Sequence, residues 1–268
     1  VERNRNMSDS TQLNIETDPG IESVGARGTS PSPSTWKNGA LIRLRQITRI
    51  YQEGSLEVLA LRGVDLDVAE GEFSALAGPS GSGKTTLLNI IGVLDHPTSG
   101  RVEVAGKDIG KLQKGEAADF RLDNVGFIFQ AYNLVPVLTA YENAEFTLLL
   151  RGVPAPERRD RVMPLLERVG LADMADRKPH ELSGGQQQRV AVVRALATRP
   201  AIILADEPTA NLDSDTSAGL LDLMQGLNEE LKTTFLFSTH DPVVIGRARR
   251  VIRLLDGRVT GSEALAAD

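Results

Sequence analysis

Gly78-Pro79-Ser80-Gly81-Ser82-Gly83-Lys84-Thr85 fits the pattern G-x-x-x-x-G-K-[ST], and no other stretch narrows the choice of folds so far. The run over 72–77 before it reads as a buried strand, and 86–91 after it reads as a helix. A loop between a strand end and a helix start is the setting in which these residue types bind phosphate. Gly78, Gly81 and Gly83 allow backbone shapes that a Cβ forbids, and they let N–H groups approach an anion closely. The helix start adds free N–H groups and the positive end of its dipole. Lys84 offers a point charge to β- and γ-phosphates, and Thr85 a hydroxyl to Mg²⁺. Pro79, Ser80, Ser82 and Thr86 complete the segment around the phosphate chain.

A second motif answers the first. Ile202-Ile203-Leu204-Ala205-Asp206-Glu207 is an apolar strand ending in two carboxylates. Charge at the end of a buried strand is costly unless a cation meets it. With a phosphate loop in the same chain, Mg²⁺ is the natural partner. Asp206 is then expected to hold the metal through water, and Glu207 to orient and deprotonate the attacking water.

Leu182-Ser183-Gly184-Gly185-Gln186 opens another helix. Ser183 can cap it, and the two glycines bare N–H groups, which makes a second anion site at a helix start. One nucleotide cannot easily use both anion sites of a single chain. Two copies facing head to tail can each lend Ser183, Gly184, Gly185 and Gln186 to the other's γ-phosphate.

Composition closes off other classes. A net charge of −6 over 268 residues gives no global reason to expect a nucleic-acid partner. There is no cysteine, which excludes disulfides, thiolate metal sites and a Cys nucleophile. The longest apolar runs, such as 146–150, fall far short of the roughly 18 residues a membrane span needs. Residues 1–39 are rich in Ser, Thr, Asn, Gly and Pro; they read as a disordered arm and lack the apolar centre of a signal peptide.

Along the rest of the chain, strands are expected over 41–47, 58–61, 64–68, 101–106, 125–129, 201–205 and 233–238. A hairpin around Asp256-Gly257 is expected to close the fold. Helices are expected over 141–150, 156–169, 186–198, 214–231 and 241–248, with Pro164 kinking the second or splitting it in two. An antiparallel β region thus surrounds the strand feeding the phosphate loop, and a helical block interrupts a mainly parallel sheet.

These motifs together, and residues 182–186 above all, resemble the ATP-binding-cassette (ABC) ATPases over about 41–261. The resemblance implies an α/β P-loop NTPase fold, an ABC nucleotide-binding domain over 40–261. It would carry an antiparallel β subdomain, a helical lobe at about 131–183, and a tail over 262–268. It implies ATP and Mg²⁺ as ligands and hydrolysis coupled to a separate membrane permease. By matching position, Gln130 would contact Mg²⁺ and sense the membrane partner, and His240 would be the switch histidine at the γ-phosphate. Asp213 would lie in the loop that crosses to the other subunit, and Tyr51 would stack on adenine. Lys84, Gln130, Glu207 and His240 are the catalytic candidates.

Within that family, 89–92, 127–134, 141–143 and 205–209 look like the MacB/LolD/FtsE group. That likeness implies lipoprotein release, macrolide or peptide efflux, or mechanotransmission. It places the chain peripherally on the cytoplasmic face of the inner membrane, with a second copy of itself, an integral permease and a periplasmic adaptor as partners. Tyr132, Leu134, Val135, Val137 and Leu138 form an apolar cluster suited either to a permease helix or to the core of the lobe. A soluble ABC ATPase and a regulator of a cell-wall membrane protein stay open as alternatives. Soluble relatives tend to carry two cassettes or a long coiled-coil insertion, and neither is found here. Two departures from the group are Ala210, where Gly is usual, and Pro164.

Overall fold

The structure is a computed structural model that describes residues 39–54 and 56–265. The arm expected over 1–39 lies outside these residues except for Gly39, as do the last three residues of the expected tail.

Two sheets organise the domain. The smaller is antiparallel, in the order β2-β1-β4-β5. It contains β1 (Ala40–Glu53), β2 (Leu56–Ala69), β4 (Ser99–Val104) and the short β5 (Lys107–Asp108). Where the sequence suggests three short strands, β1 and β2 are two long ones, and Tyr51 lies within β1. The alternation breaks at Gln46 and Gly63, both with positive φ, yet pairing resumes beyond a bulge. The Asp65 carboxylate accepts the Gln46 N–H at 2.9 Å and pins that bulge.

The larger sheet has the order β10-β9-β3-β8-β7-β6. β3 (Phe73–Ala77), β6 (Val125–Phe129), β7 (Ile202–Asp206), β8 (Thr234–Thr239) and β9 (Arg250–Leu255) are parallel, and β10 (Arg258–Ala264) is an antiparallel edge. Three residues of the expected tail, Ser262, Glu263 and Ala264, belong to β10 because they stay paired with β9 back to Arg250. All five β3 residues are buried, as a strand covered on both faces requires. The Phe73, Phe235 and Phe237 rings meet at centroid distances of 4.6–5.9 Å. Burying each such ring contributes about 1.5–3 kcal/mol.

Seven helices are described. α1 (Lys84–Ile91) comes directly after the phosphate loop. α2 (Lys114–Asn124) is an element absent from the sequence-based expectations. Its signals are a Gln113/Glu116 capping box and the buried pair Ala117 and Phe120 at helical spacing. α3 (Ala140–Leu150) and α4 (Ala155–Arg168) form the lobe with two 3-10 turns, Ala172–Met174 and Pro179–Glu181. α4 runs unbroken through Pro164, so two shorter helices do not form. Pro164 and Asp160, whose carbonyl loses its N–H partner, both lie on the exposed side, where water can take over.

α5 (Gly184–Leu196) joins the lobe to the sheet. Its Val190 and Val193 pack with Ala144, Leu148, Val162 and Leu166, while Val192 and Leu196 pack with sheet residues Ile128 and Ile203. The lobe's core therefore reaches past the expected boundary at 183. α6 (Ser214–Leu231) and α7 (Pro242–Arg247) complete the domain. Among the described residues, no helix is long and apolar enough to cross a membrane.

Candidate functional site

Parallel pairing sets the site. Ala77 pairs with Thr239, Asp206 with Ser238, and Phe129 with Asp206. The C-terminal ends of β3, β8, β7 and β6 are thus in register, and the loops leaving them gather along one edge of the sheet.

After β3 comes the phosphate loop. Gly81 and Gly83 have φ of +78° and +101°, where a side chain is strained. A Cβ on Gly78 would stand 2.1 Å from the Leu254 carbonyl oxygen, and one on Gly83 2.8 Å from that of Ala60. The loop is therefore pressed against both β9 and β2. The Gly257 N–H, in the β9–β10 turn, donates to the Ser82 carbonyl at 3.0 Å. Lys84 is 7% exposed. Its Nζ donates to the Gly78 and Pro79 carbonyls at 2.7 and 3.0 Å, which holds the ammonium across the loop. No side chain caps α1 and no acidic residue sits in its first turn, so the helix supplies no side-chain partner for its own N-terminal donors. The Ser82 Oγ is buried without a hydrogen-bond partner. Thr85 and Ser80 are exposed beside it, and Thr86 is half-buried.

β7 delivers the carboxylates. The Thr85 hydroxyl lies 3.4 Å from Asp206 Oδ1. Glu207 leaves the strand with φ +46°, a conformation uncommon outside glycine, and its N–H donates to the Ser238 carbonyl at 2.9 Å. This turn brings Glu207 Oε1 to 2.7 Å from His240 Nδ1, with the Thr239 hydroxyl 3.4 Å from Oε2. Four residues picked from three separate motifs, Thr85, Asp206, Glu207 and His240, are thus brought to one place.

Gln130 is exposed just past β6, and its carbonyl accepts from the Asn211 side chain at 3.0 Å. Beneath it lies a residue that the motifs do not pick out. Gln188 of α5 is wholly buried, and its amide nitrogen donates to the Pro208 carbonyl at 2.7 Å and the Phe129 carbonyl at 3.3 Å. One side chain thus ties the strand end carrying Gln130 to the loop just after Glu207. The sequence shows only a glutamine inside an amphipathic helix. Replacing it should be felt in folding: Gln188→Leu strands two carbonyls and is expected to lower stability by about 1–3 kcal/mol, measured by urea denaturation.

Ser183 is the N-cap of α5, with a capping box to Gln186. A Cβ on Gly184 would lie 2.6 Å from the Tyr132 hydroxyl, and one on Gly185 2.5 Å from the Thr216 methyl. Among the described residues, no hydrogen bond or ion pair joins 182–186 to the phosphate loop. Asp213 caps α6: its carboxylate accepts the Thr216 N–H at 2.9 Å and the Thr216 hydroxyl at 2.7 Å. Those bonds, the hydroxyl's first, hold its carboxyl below the ordinary range. Tyr51 is half-buried in β1, apart from these strand ends, and its hydroxyl donates to Asp95 at 2.7 Å.

The ABC transporter family profile matches residues 61–210. The chain belongs to the ABC transporter family. It is an ATP-binding, ATP-hydrolysing cassette, with the ABC form of the P-loop NTPase fold that the motifs imply. It is 47% identical over 223 residues to an uncharacterized ABC transporter ATP-binding protein of Thermotoga maritima, covering 83% of this chain and 95% of that one. It is 42% identical over 227 residues to the lipoprotein-releasing system ATP-binding protein LolD of Pseudoalteromonas translucida, covering 85% and 98%. A solved structure of the ATP-binding cassette MJ0796 of Methanocaldococcus jannaschii, a dimer in a post-hydrolysis state bound to ADP and Pi, superposes with a TM-score of 0.77. That cassette is 44% identical, with 85% of this chain and all of that one covered. The chain spans about a third of the length of the macrolide-export ATP-binding/permease relatives it also matches.

Proposed function

We propose that this ABC ATPase powers a separate membrane permease, and that it works as a head-to-tail pair in which each copy completes the other's site. The observation that carries this reading is a division within the chain. Two segments suited to phosphate, the loop before α1 and the start of α5, lie in one chain without a bond between them. The dimeric state of the archaeal relative is in keeping with it.

The residues on the strand edge then take complementary roles. Lys84 and the first N–H groups of α1 hold the phosphate chain, and Tyr51 takes the adenine. The donor set also fits Mg²⁺. A hydroxyl from Thr85 and a carboxylate oxygen from Asp206 stand close together, with the Gln130 amide off the neighbouring strand end. Among the described residues, no group of three or more His, Cys, Asp or Glu could hold a metal, so nucleotide oxygens and water would supply its other ligands. Bound there, Mg²⁺ would neutralise phosphate charge. Glu207 takes the proton of the attacking water, and His240, 2.7 Å away, steadies its carboxylate and meets the γ-phosphate. Closure of the pair follows from the contacts that a γ-phosphate makes and ADP lacks.

Coupling to the permease falls to the lobe face. A cleft of about 310 Å³, lined among others by Phe127, Phe129, Phe146, Leu150 and Arg194, opens beside the Gln130 strand. The Arg194 guanidinium braces its rim by donating to the Tyr132 and Asn133 carbonyls. Val137, 72% exposed, stands out from the apolar cluster of the same loop. Its neighbours Val135 and Leu138 are tied down by the buried Asn143 amide. We assign this face to a short apolar segment of a permease at the cytoplasmic side of the inner membrane. By the MacB/LolD/FtsE likeness, the cargo class is lipoprotein, macrolide or peptide, and an efflux-type permease would bring a periplasmic adaptor. Pull-down of the tagged chain from detergent-solubilised membranes tests the assignment. An integral membrane protein should co-purify and be lost on Val137→Asp; recovery of the chain without one would overturn it.

A further inference from the structure

We propose that Asp95 and Arg49 are positioning residues that fix the Tyr51 ring in advance for the adenine base. The proposal rests on the reading of Tyr51 as the base-stacking residue. Three contacts hold that ring. The Tyr51 hydroxyl donates to Asp95 Oδ2 at 2.7 Å. The Arg49 guanidinium lies 4.4 Å from the ring centre. Arg49 and Asp95 then close the triangle with an ion pair of 2.8 Å, its side chains 23% and 22% exposed. Asp95 is itself fixed, since its Oδ1 accepts the His96 N–H at 2.8 Å.

The place suits the purpose. Asp95 lies just past α1, the helix that begins at the phosphate loop. Arg49 pairs across the small sheet with Leu61. The Leu61 side chain in turn reaches the loop, where a Cβ on Gly83 would lie 2.9 Å from it. The triangle therefore ties β1, which pairs with the strand packed on the loop, to the segment after α1, while holding none of the phosphate-binding groups.

Arg49 stacks on one face of the ring, and the hydroxyl bond fixes the direction of its long axis. The proposal gives the other face to the base. A ring already immobilised loses less freedom on stacking, so the tie is worth affinity without touching the nucleotide. The buried Arg49 Nε has no hydrogen-bond partner, so the ring and the Asp95 carboxylate are what hold the guanidinium.

Calorimetric titration with Mg²⁺-ATP and with Mg²⁺-tripolyphosphate separates base from phosphate, because tripolyphosphate has no base. Tyr51→Ala is expected to weaken ATP about tenfold and leave tripolyphosphate unchanged. Asp95→Ala should weaken ATP about three- to fivefold with the same selectivity, and the double variant should be no worse than Tyr51→Ala alone. Asp95→Asn keeps an acceptor for the hydroxyl but not the ion pair, and should fall between; it carries the same comparison if Asp95→Ala does not fold. Additive losses, equal losses for the two ligands, or no loss at Asp95 while Tyr51→Ala weakens ATP would overturn the proposal. Should Tyr51→Ala itself leave ATP binding unchanged, the stacking role of Tyr51 falls first and this proposal with it.

Discussion

Glu207→Gln is expected to lower ATP turnover by at least about a hundredfold while ATP still binds. The substitution keeps the size of the side chain and an oxygen or nitrogen to face His240 and Thr239. It removes only the capacity to take a proton. The strained turn at 207 is a backbone feature, anchored by the bond to the Ser238 carbonyl, and Gln can occupy it as Glu does. Binding and chemistry should therefore come apart. Phosphate release measures the loss, and size-exclusion chromatography with ATP should show an ATP-bound dimer accumulating, because closure is no longer undone by hydrolysis. Retention of full activity would remove Glu207 from the role of base.

The second large effect is expected at Ser183→Arg. Ser183 is exposed at the start of α5, so an arginine has room within its own chain. The local cost is a lost cap, about 0.5–2 kcal/mol. In a head-to-tail pair, the new side chain stands where the other copy's γ-phosphate would be. Turnover should fall to background while binding of ATP to the monomer stays within a few-fold of the parent. Ser183→Ala is the comparison: it loses the same cap and the same hydroxyl but adds no bulk, so its turnover should fall far less than that of Ser183→Arg. A fully active Ser183→Arg would show that the start of α5 serves no second chain.

How much could be read from the chain alone depended on distance along it. The phosphate loop, the carboxylates at the end of β7 and the serine-glycine start of α5 are each a few adjacent residues, so a local pattern carries them intact. The helix expected over 214–231 is found with those bounds, and its start is capped by Asp213. The length of β1 and β2 was not, since the bulge at Gln46 depends on Asp65 across the strand pair. α2 was hard to see because its cap is a glutamine, less telling than the serine of α5 or the threonine of α3. The Tyr51–Asp95 bond and the Gln188 clamp join residues 44 and 20 positions apart, which no local pattern announces. Asp213, assigned by likeness to the loop that crosses between subunits, proved also to have a task inside its own chain as a cap.

The two glycines that open α5 carry a lesson for mutagenesis. Tyr132 and Thr216 stand so close to them that an alanine at either would force a neighbouring side chain of the same chain to move. An inactive Gly184→Ala or Gly185→Ala enzyme would thus mix repacking inside one chain with any effect on assembly, whereas at the exposed neighbouring serine a larger side chain has room within its own chain.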